Sequence, residues 1–278
     1  MKINLINNND IDRDKWDATI DYSNIASPCL RTWYLDKMFP NWEALVNEDY
    51  SMIFPIINSN DKKYFFPYGG IISTGLVYSE DLNLFIDALP SHAKETKLNP
   101  TNWWLKPDKT SRITTQQLSL EQTHELIHKN FAKEIAELQS DGRILELKSI
   151  EAILKFVREA LKIETEEDEE LFLRISNVIK FSISRNNGIA IAHIDKKNQV
   201  SSLVLFLFNQ NFIHLFLSLS LDKENKNQLY QIIYEFIKEN DMSSTILDMP
   251  NCETKFNQIT PKLIGSYHIN YQLLGDKK

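Results

Sequence analysis

The stretch from Ile189 to Leu221 constrains this chain more than any other part of it. Three runs of β-type apolar residues, Ile189–Ile194, Val200–Phe208 and Phe212–Leu221, are separated only by the polar turns Asp195–Gln199 and Asn209–Asn211. Connections this short join antiparallel neighbours, because a parallel pair needs a crossover of a dozen residues or more. The spacing predicts an antiparallel meander. Within it Leu203–Phe208 reads LVLFLF, without alternation, which marks a central strand covered on both faces.

The elements on either side follow from periodicity. Before the meander, a strand at Arg143–Leu147 precedes a helix with Ile150, Ile153, Leu154, Val157 and Leu161 on one face, then a second helix with Leu171, Phe172, Ile175, Val178 and Ile179. After it, Leu229, Ile232, Ile233, Phe236 and Ile237 fall at helical spacing, followed by a strand at Thr245–Met249, a helix at Glu253–Ile264 and a strand at Tyr267–Leu274. The order is β-α-α-β-β-β-α-β-α-β. Upstream, Leu120, Ile127, Phe131, Ile135 and Leu138 form a helical stripe that Asp141-Gly142 stops, which puts a domain boundary at 139/140, between an amino-terminal half (1–139) and a carboxy-terminal half (140–278). The amino-terminal half shows a blurred version of the same order: helices at Asp12–Asp21, Arg31–Met38 and Ser79–Leu89, the last capped by Ser79, and strands within Trp42–Asn58, at Lys63–Gly70 and from Trp103.

Composition narrows the class. The 278 residues are 42% hydrophobic and 25% charged, an ordinary globular mixture that excludes a disordered or collagen-like chain. With 31 Lys and Arg against 38 Asp and Glu, the net charge of −7 disfavours a nucleic-acid partner. The two cysteines, Cys29 and Cys252, make no C-x-x-C pair, so a reducing compartment is expected. No window holds the 18 or so apolar residues that span a bilayer, and the polar start lacks a secretory signal, which together read as a cytoplasmic protein without a membrane partner.

Three late segments carry a resemblance: NFIHLFLSLSLDKENKNQLYQIIYEFIKEN (Asn211–Asn240), STILDMPNCE (Ser244–Glu253) and FNQITPKLIGSYHINYQLL (Phe256–Leu274). With the element order, they resemble the carboxy-terminal half of tandem GNAT proteins related to the Fem-type peptidyl transferases. Thr32–Leu45 (TWYLDKMFPNWEAL) and the Leu120–Leu138 helix are similar to the degenerate first half. The resemblance implies an α/β fold of the α+β type, with two GNAT-like halves, each a mixed, mainly antiparallel central sheet flanked by helices. It also implies acyl-CoA, such as acetyl-CoA, as co-substrate, an amine of a small molecule or peptide as acceptor, and no metal. A Fem-like use of aminoacyl-tRNA fits less well, because the Leu120–Leu138 helix offers only Lys129 and Lys133 as cations.

In GNAT enzymes the pantetheine arm lies in a splay beside the fourth strand, and the pyrophosphate sits on N–H groups of a glycine-rich turn opening the next helix. The matching strand here alternates Leu215, Leu217, Leu219 and Leu221 on one face with Phe216, Ser218 and Ser220 on the other, so the Ser218 and Ser220 hydroxyls are expected to point to one side near its end and to bind the donor. The matching turn, Asp222 to Asn227, offers Lys223, Asn225, Lys226 and Asn227 as donor-binding residues, with Gln228 completing a capping-box-like start. It has none of the family's glycines, and the bland reading of its lysines is a solvated polar turn. Asp248 and Glu253 are placed to take a proton from an amine, their ordinary alternative being strand-end or capping carboxylates. The family's helix tyrosine, which protonates the departing thiolate, aligns with Pro261, leaving Tyr271 or Tyr267 as substitutes that otherwise read as packing residues. Loss of those landmarks defines the alternative, a catalytically inactive binding version of the fold.

A competing motif is His124-Glu125-Leu126-Ile127-His128, the H-E-x-x-H pattern of zinc hydrolases. It lacks a third ligand and carries Lys129 beside it, so two histidines flanking an apolar stripe are the simpler reading. His193, His214 and His268 read as isolated structural histidines. Glu164–Glu170 (ETEEDEE) reads as a solvated helix start, and Trp16, Trp33, Trp42, Trp103 and Trp104 as core rather than a ligand groove.

Overall fold

The structure is a computed structural model of the chain. It describes residues 1–57, 69–93, 97–98, 110–119, 142–210, 212–222, 227–240, 245–249 and 268–273, with residues 92, 97–98, 110–119 and 268–273 described by their backbone. It divides into two compact units, Met1–Thr115 with His268–Lys278, and Gln116–Tyr267. The boundary expected at 139/140 lies outside the described residues, as do the Lys63–Tyr68 segment, the strand from Trp103, the Leu120–Leu138 helix and the Glu253–Ile264 helix.

In the first unit β1 (Ile3–Asn7), β2 (Glu43–Asn47), β3 (Met52–Ile56) and β4 (Ile72–Ser73) form an antiparallel sheet in chain order. Within Trp42–Asn58 the polar Asn47-Glu48-Asp49 lies at the β2–β3 turn. Asn47 Oδ1 accepts the Met52 N–H at 3.0 Å, Asp49 accepts the Ser51 N–H at 3.0 Å, and Tyr50 takes a left-handed φ of 61°. Helix α1 (Arg13–Tyr22) is capped by Asp12, whose carboxylate accepts the Lys15 N–H at 3.2 Å. Helix α2 (Thr32–Met38) follows. Trp16 and Trp42 meet edge to face at 4.9 Å and are core, 0% and 1% exposed, whereas Trp33 is only partly buried and Trp103 and Trp104 lie outside the described residues. Helix α3 (Ser79–Asp87) differs from expectation at its start. Ser79 is its first helical residue, and the cap is Tyr78, whose N–H is accepted by Asp81 at 3.1 Å. Leu82 and Phe85 of α3 pack with Leu45, Phe54 and Ile71. A second ladder in this unit joins β5 (Lys97–Leu98), β12 (His268–Leu273) and the first six residues of β6 (Thr110–Ser119).

In the second unit β7 (Arg143–Glu146), β8 (Gly188–Ile194), β9 (Val200–Asn209) and β10 (Phe212–Ser220) are antiparallel neighbours in sequence order, as the short turns require for β8, β9 and β10. Next to β10 lies β11 (Ile246–Met249), parallel to it, and then the last four residues of β6, antiparallel to β11. Helices α4 (Ile150–Leu161) and α5 (Glu166–Ser184) connect β7 to β8. Ser149 caps α4, and Thr165 with Asp168 forms a capping box on α5. The acidic run is thus the solvated first turn of α5, where the helix dipole favours carboxylates.

Helix α6 (Asn227–Glu239) packs its Leu229, Ile232, Ile233, Phe236 and Ile237 on Val204, Phe206, Ile213, Leu215 and Leu247. Phe206 and Phe236 stack at 3.8 Å. The other face of the same strands carries Leu203, Leu205, Leu207, Leu217 and Leu219, each buried, on the side where α4 and α5 pack. The central LVLFLF strand is covered on both faces, as its lack of alternation demands. Among the described residues no helix is long and apolar enough to cross a membrane.

Candidate functional site

Two features of β10 shape the candidate site. The first is a β-bulge. Leu215 pairs with Phe206 but Leu217 pairs with Leu205, so Phe216 is an extra residue and the faces exchange there. This corrects the regular alternation expected from sequence. Leu215 shares the α6 face with Ser218 and Ser220, while Leu217 and Leu219 lie on the opposite face.

The second is the shortness of the β10–β11 ladder. It covers three positions, Phe212 with Ile246, Ile213 with Leu247 and His214 with Asp248, whereas β10 stays paired with β9 as far as Ser220. The last rung holds two ionisable side chains. His214 Nδ1 lies 2.7 Å from Asp248 Oδ2, and each side chain is 5% exposed. By register both belong to the face of Leu207 and Leu217, opposite α6. Burial pulls the His214 imidazole down to about 3, so it is neutral near pH 7. Burial pushes the Asp248 carboxyl well above the usual carboxylate range. With the imidazole neutral, the pair is a hydrogen-bonded couple rather than two opposite charges.

On the α6 face a polar chain ties the helix to the sheet. The hydroxyls of Ser201 and Ser202 donate to Gln228 Oε1 at 2.9 and 2.8 Å, and Ser202 Oγ is 3.0 Å from Ser220 Oγ. His193 Nδ1 lies 2.7 Å from Ser201 Oγ. With the Ser201 proton on Gln228, Nδ1 is the donor of that pair, an assignment made from the network. His193 Nε2 is buried and lacks a hydrogen-bond partner among the described residues. Gly142 lies over this ring: a Cβ there would sit 2.5 Å from His193 Cε1 and 2.2 Å from the Ile194 carbonyl oxygen. Close approach to β8, and not only the stopping of a helix, is what glycine supplies at 142.

Of the expected site residues, Asp248 is at the end of the short ladder. Ser218 and Ser220 are 0% and 1% exposed and lie on the opposite face from Asp248. Asn227 is the first residue of α6. Tyr271 lies on β12 in register with Arg112 and Leu98, in the first unit. Lys223, Asn225, Lys226, Glu253 and Pro261 lie outside the described residues, and so does the His124-Glu125-His128 motif. Among the described residues there is no cluster of three or more His, Cys, Asp or Glu side chains able to hold a metal. A cavity of about 440 Å³ lies between β7, β8 and α6, two strands away from β10, and Glu146, Glu235 and Glu239 line it.

Sequence reasoning missed His214 and Gln228 as parts of these arrangements. The available signal was one ionisable residue inside each of two apolar strands, IHLFLSLS and ILDM.

No family model and no curated protein matches the sequence. Solved structures do match the fold. FemX aligns over 99% of this chain and 98% of its own at a TM-score of 0.57 and 12% identity. L-PGS from Bacillus licheniformis aligns over 96% and 93% at 0.52 and 9%. A tandem GNAT protein from the clavulanic acid biosynthesis pathway aligns over 100% of both chains at 0.51 and 8%. The chain thus has a diverged tandem GNAT, Fem-like fold, mixed α/β with two GNAT-like halves. At such identities the likeness is one of fold alone.

Proposed function

We propose that the second unit is an acyl-CoA-dependent N-acyltransferase acting on the amine of a small molecule or peptide, with acetyl-CoA as the simplest donor. One observation carries the reading: the β10–β11 ladder ends at a buried imidazole–carboxyl pair while β10 runs on for six more residues, Leu215 to Ser220. In this reading the pantetheine arm lies beside that part of β10. The pyrophosphate is met by the start of α6, where Asn227 and helix N–H groups face it and Lys223, Asn225 and Lys226 precede it. Ser220 contributes from within, through Ser202 to Gln228 of α6, and so helps to hold β10 and α6 in place.

The reaction needs no covalent enzyme intermediate. The neutral amine nitrogen attacks the thioester carbonyl, a C–N bond forms, the C–S bond breaks, and the proton lost by nitrogen balances the one gained by the CoA thiolate. Asp248 takes the proton from nitrogen, directly or through one water, with Glu253 as the other carboxylate for that role. Much of the acceleration comes from holding donor and acceptor together.

Thermal unfolding with and without millimolar acetyl-CoA tests donor binding, since a ligand of the folded state raises the midpoint by mass action. A saturable rise that Lys223→Ala with Lys226→Ala diminishes, together with acyl transfer to members of an amine panel, is the expected result. A rise without transfer to any amine leaves a binding protein, and no rise removes acyl-CoA from the reading.

A further inference from the structure

The hydrogen bond between His214 and Asp248 has two directions open to a neutral imidazole, and one of them leaves Asp248 able to act as the base of the proposed transfer. His214 is held within an apolar strand, 4% exposed, where burial disfavours the imidazolium. A neutral imidazole has one N–H and one lone pair. If Nδ1 presented its lone pair, Asp248 would have to be the donor, hence protonated and useless as a base. If Nδ1 carries the proton, Asp248 Oδ2 receives a hydrogen bond at 2.7 Å, and donation to a carboxylate favours its charged form. That donation opposes the burial that otherwise drives the carboxyl toward neutrality.

The register partners of the pair on the neighbouring strands are not titratable. On β9 the register partner of His214 is Leu207, and on β6 the partner of Asp248 is Gln117. From α4 the buried residues are Ile153, Phe156, Val157, Ala160 and Leu161, and from α5 Leu171, Phe172, Ile175, Ser176, Val178, Ile179 and Ser182. Burial is the recorded cause of both shifts.

We infer that His214 is the positioning residue for proton transfer in the second unit: its Nδ1–H, given to Asp248 Oδ2 on the last rung of the β10–β11 ladder, keeps the buried carboxylate ionised and oriented to take the proton of the attacking amine. The inference rests on the acyltransferase reading. The proton removed from nitrogen resides on Asp248 while the C–N bond forms, and is passed on to the CoA thiolate as the C–S bond breaks. His214 keeps its own proton throughout. Rotation of Asp248 is also restrained, because the ladder fixes both backbones at this rung.

The test is the pH profile of kcat/KM for transfer from acetyl-CoA in His214→Asn, His214→Gln and His214→Leu. The Asn amide nitrogen falls near the position of Nδ1 and retains the donor, whereas the Gln nitrogen falls near Nε2 and Leu has none. The acid limb is expected to stay near its wild-type position in Asn. In Gln and Leu it moves up by about one pH unit or more, which is a loss of about tenfold or more below the limb, with KM for acetyl-CoA unchanged. Should Leu fail to unfold cooperatively, Asn against Gln decides. Limbs that coincide in Asn, Gln and wild type, or an Asn variant as impaired as Gln, overturn the assignment while leaving the transferase reading standing. A wild-type protein that transfers no acyl group overturns both.

Discussion

Each unit draws an aspartate out of full contact with water, Asp17 half-buried and Asp248 buried, and the neighbours of the two carboxylates differ in kind. Asp17 in the first unit accepts the Thr32 N–H at 2.9 Å and the Thr32 hydroxyl at 3.2 Å, and Arg31 bridges it to Asp21. Those contacts have a structural task, since Thr32 opens α2 and its N–H would otherwise be an orphan of the helix start. Burial raises the Asp17 carboxyl, and the Thr32 N–H and Arg31 draw it back down. Asp248 in the second unit caps no helix. It lies within a strand and is hydrogen-bonded to another ionisable group, and burial pushes its carboxyl up. An acid whose bonds complete a helix is accounted for by the fold. One paired with a histidine where a ladder ends is a candidate for chemistry.

The largest effect that separates the two is on turnover. Asp248→Asn keeps an oxygen to accept the His214 N–H and removes the base, so kcat should fall by about 10²–10⁴-fold while the unfolding midpoint changes little. Acyl transfer at saturating donor, alongside a melting curve, measures both. A large loss of stability with unaltered kcat would move Asp248 into the same structural class as Asp17. A smaller effect belongs to Gly142→Ala, whose Cβ meets the Ile194 carbonyl at 2.2 Å; backbone must shift, at a cost of about 1–3 kcal/mol in chemical denaturation. Smaller again is Asp17→Ala, a lost helix cap worth about 1 kcal/mol, with transfer by the second unit unchanged.

Both sides of this comparison were only partly legible in the sequence. The meander and its central strand were readable, because short polar turns and an unbroken apolar run are local signals. The bulge at Phe216 was not, since an inserted residue leaves the sequence alternating while the partner strand changes register. Strand β6, TSRITTQQLS, was missed because its polar residues give no apolar face, although Thr and Ile suit a strand. Asp248 was legible as an acid in an apolar strand near the expected splay. His214, 34 residues earlier, becomes its neighbour only through a parallel register that a single sequence does not contain.

The two buried histidines of the second unit extend the comparison to its smallest effect. Burial lowers the His193 imidazole despite the opposing pull of Asp195, and lowers His214 further, to about 3. A base with a folded value below its unfolded one contributes stability in full above the unfolded value, near 6.5, and loses it as pH falls below that, because the unfolded chain takes up protons that the native one resists. Asp248 acts with the opposite sign, its raised value costing stability as pH rises. His193→Asn should therefore lose less stability than the wild type on acidification from pH 7 to 5, since Asn keeps a donor toward Ser201 Oγ and does not titrate. Its transfer activity at pH 7 should remain near wild type, because the His193 bond ends on Ser201, and Ser201 acts through Gln228 on α6 rather than on Asp248. If His193→Asn instead moved the acid limb of kcat/KM, the protons of the two faces would be coupled across β10, and the division between a histidine that fastens a helix and one that serves a carboxylate would fail.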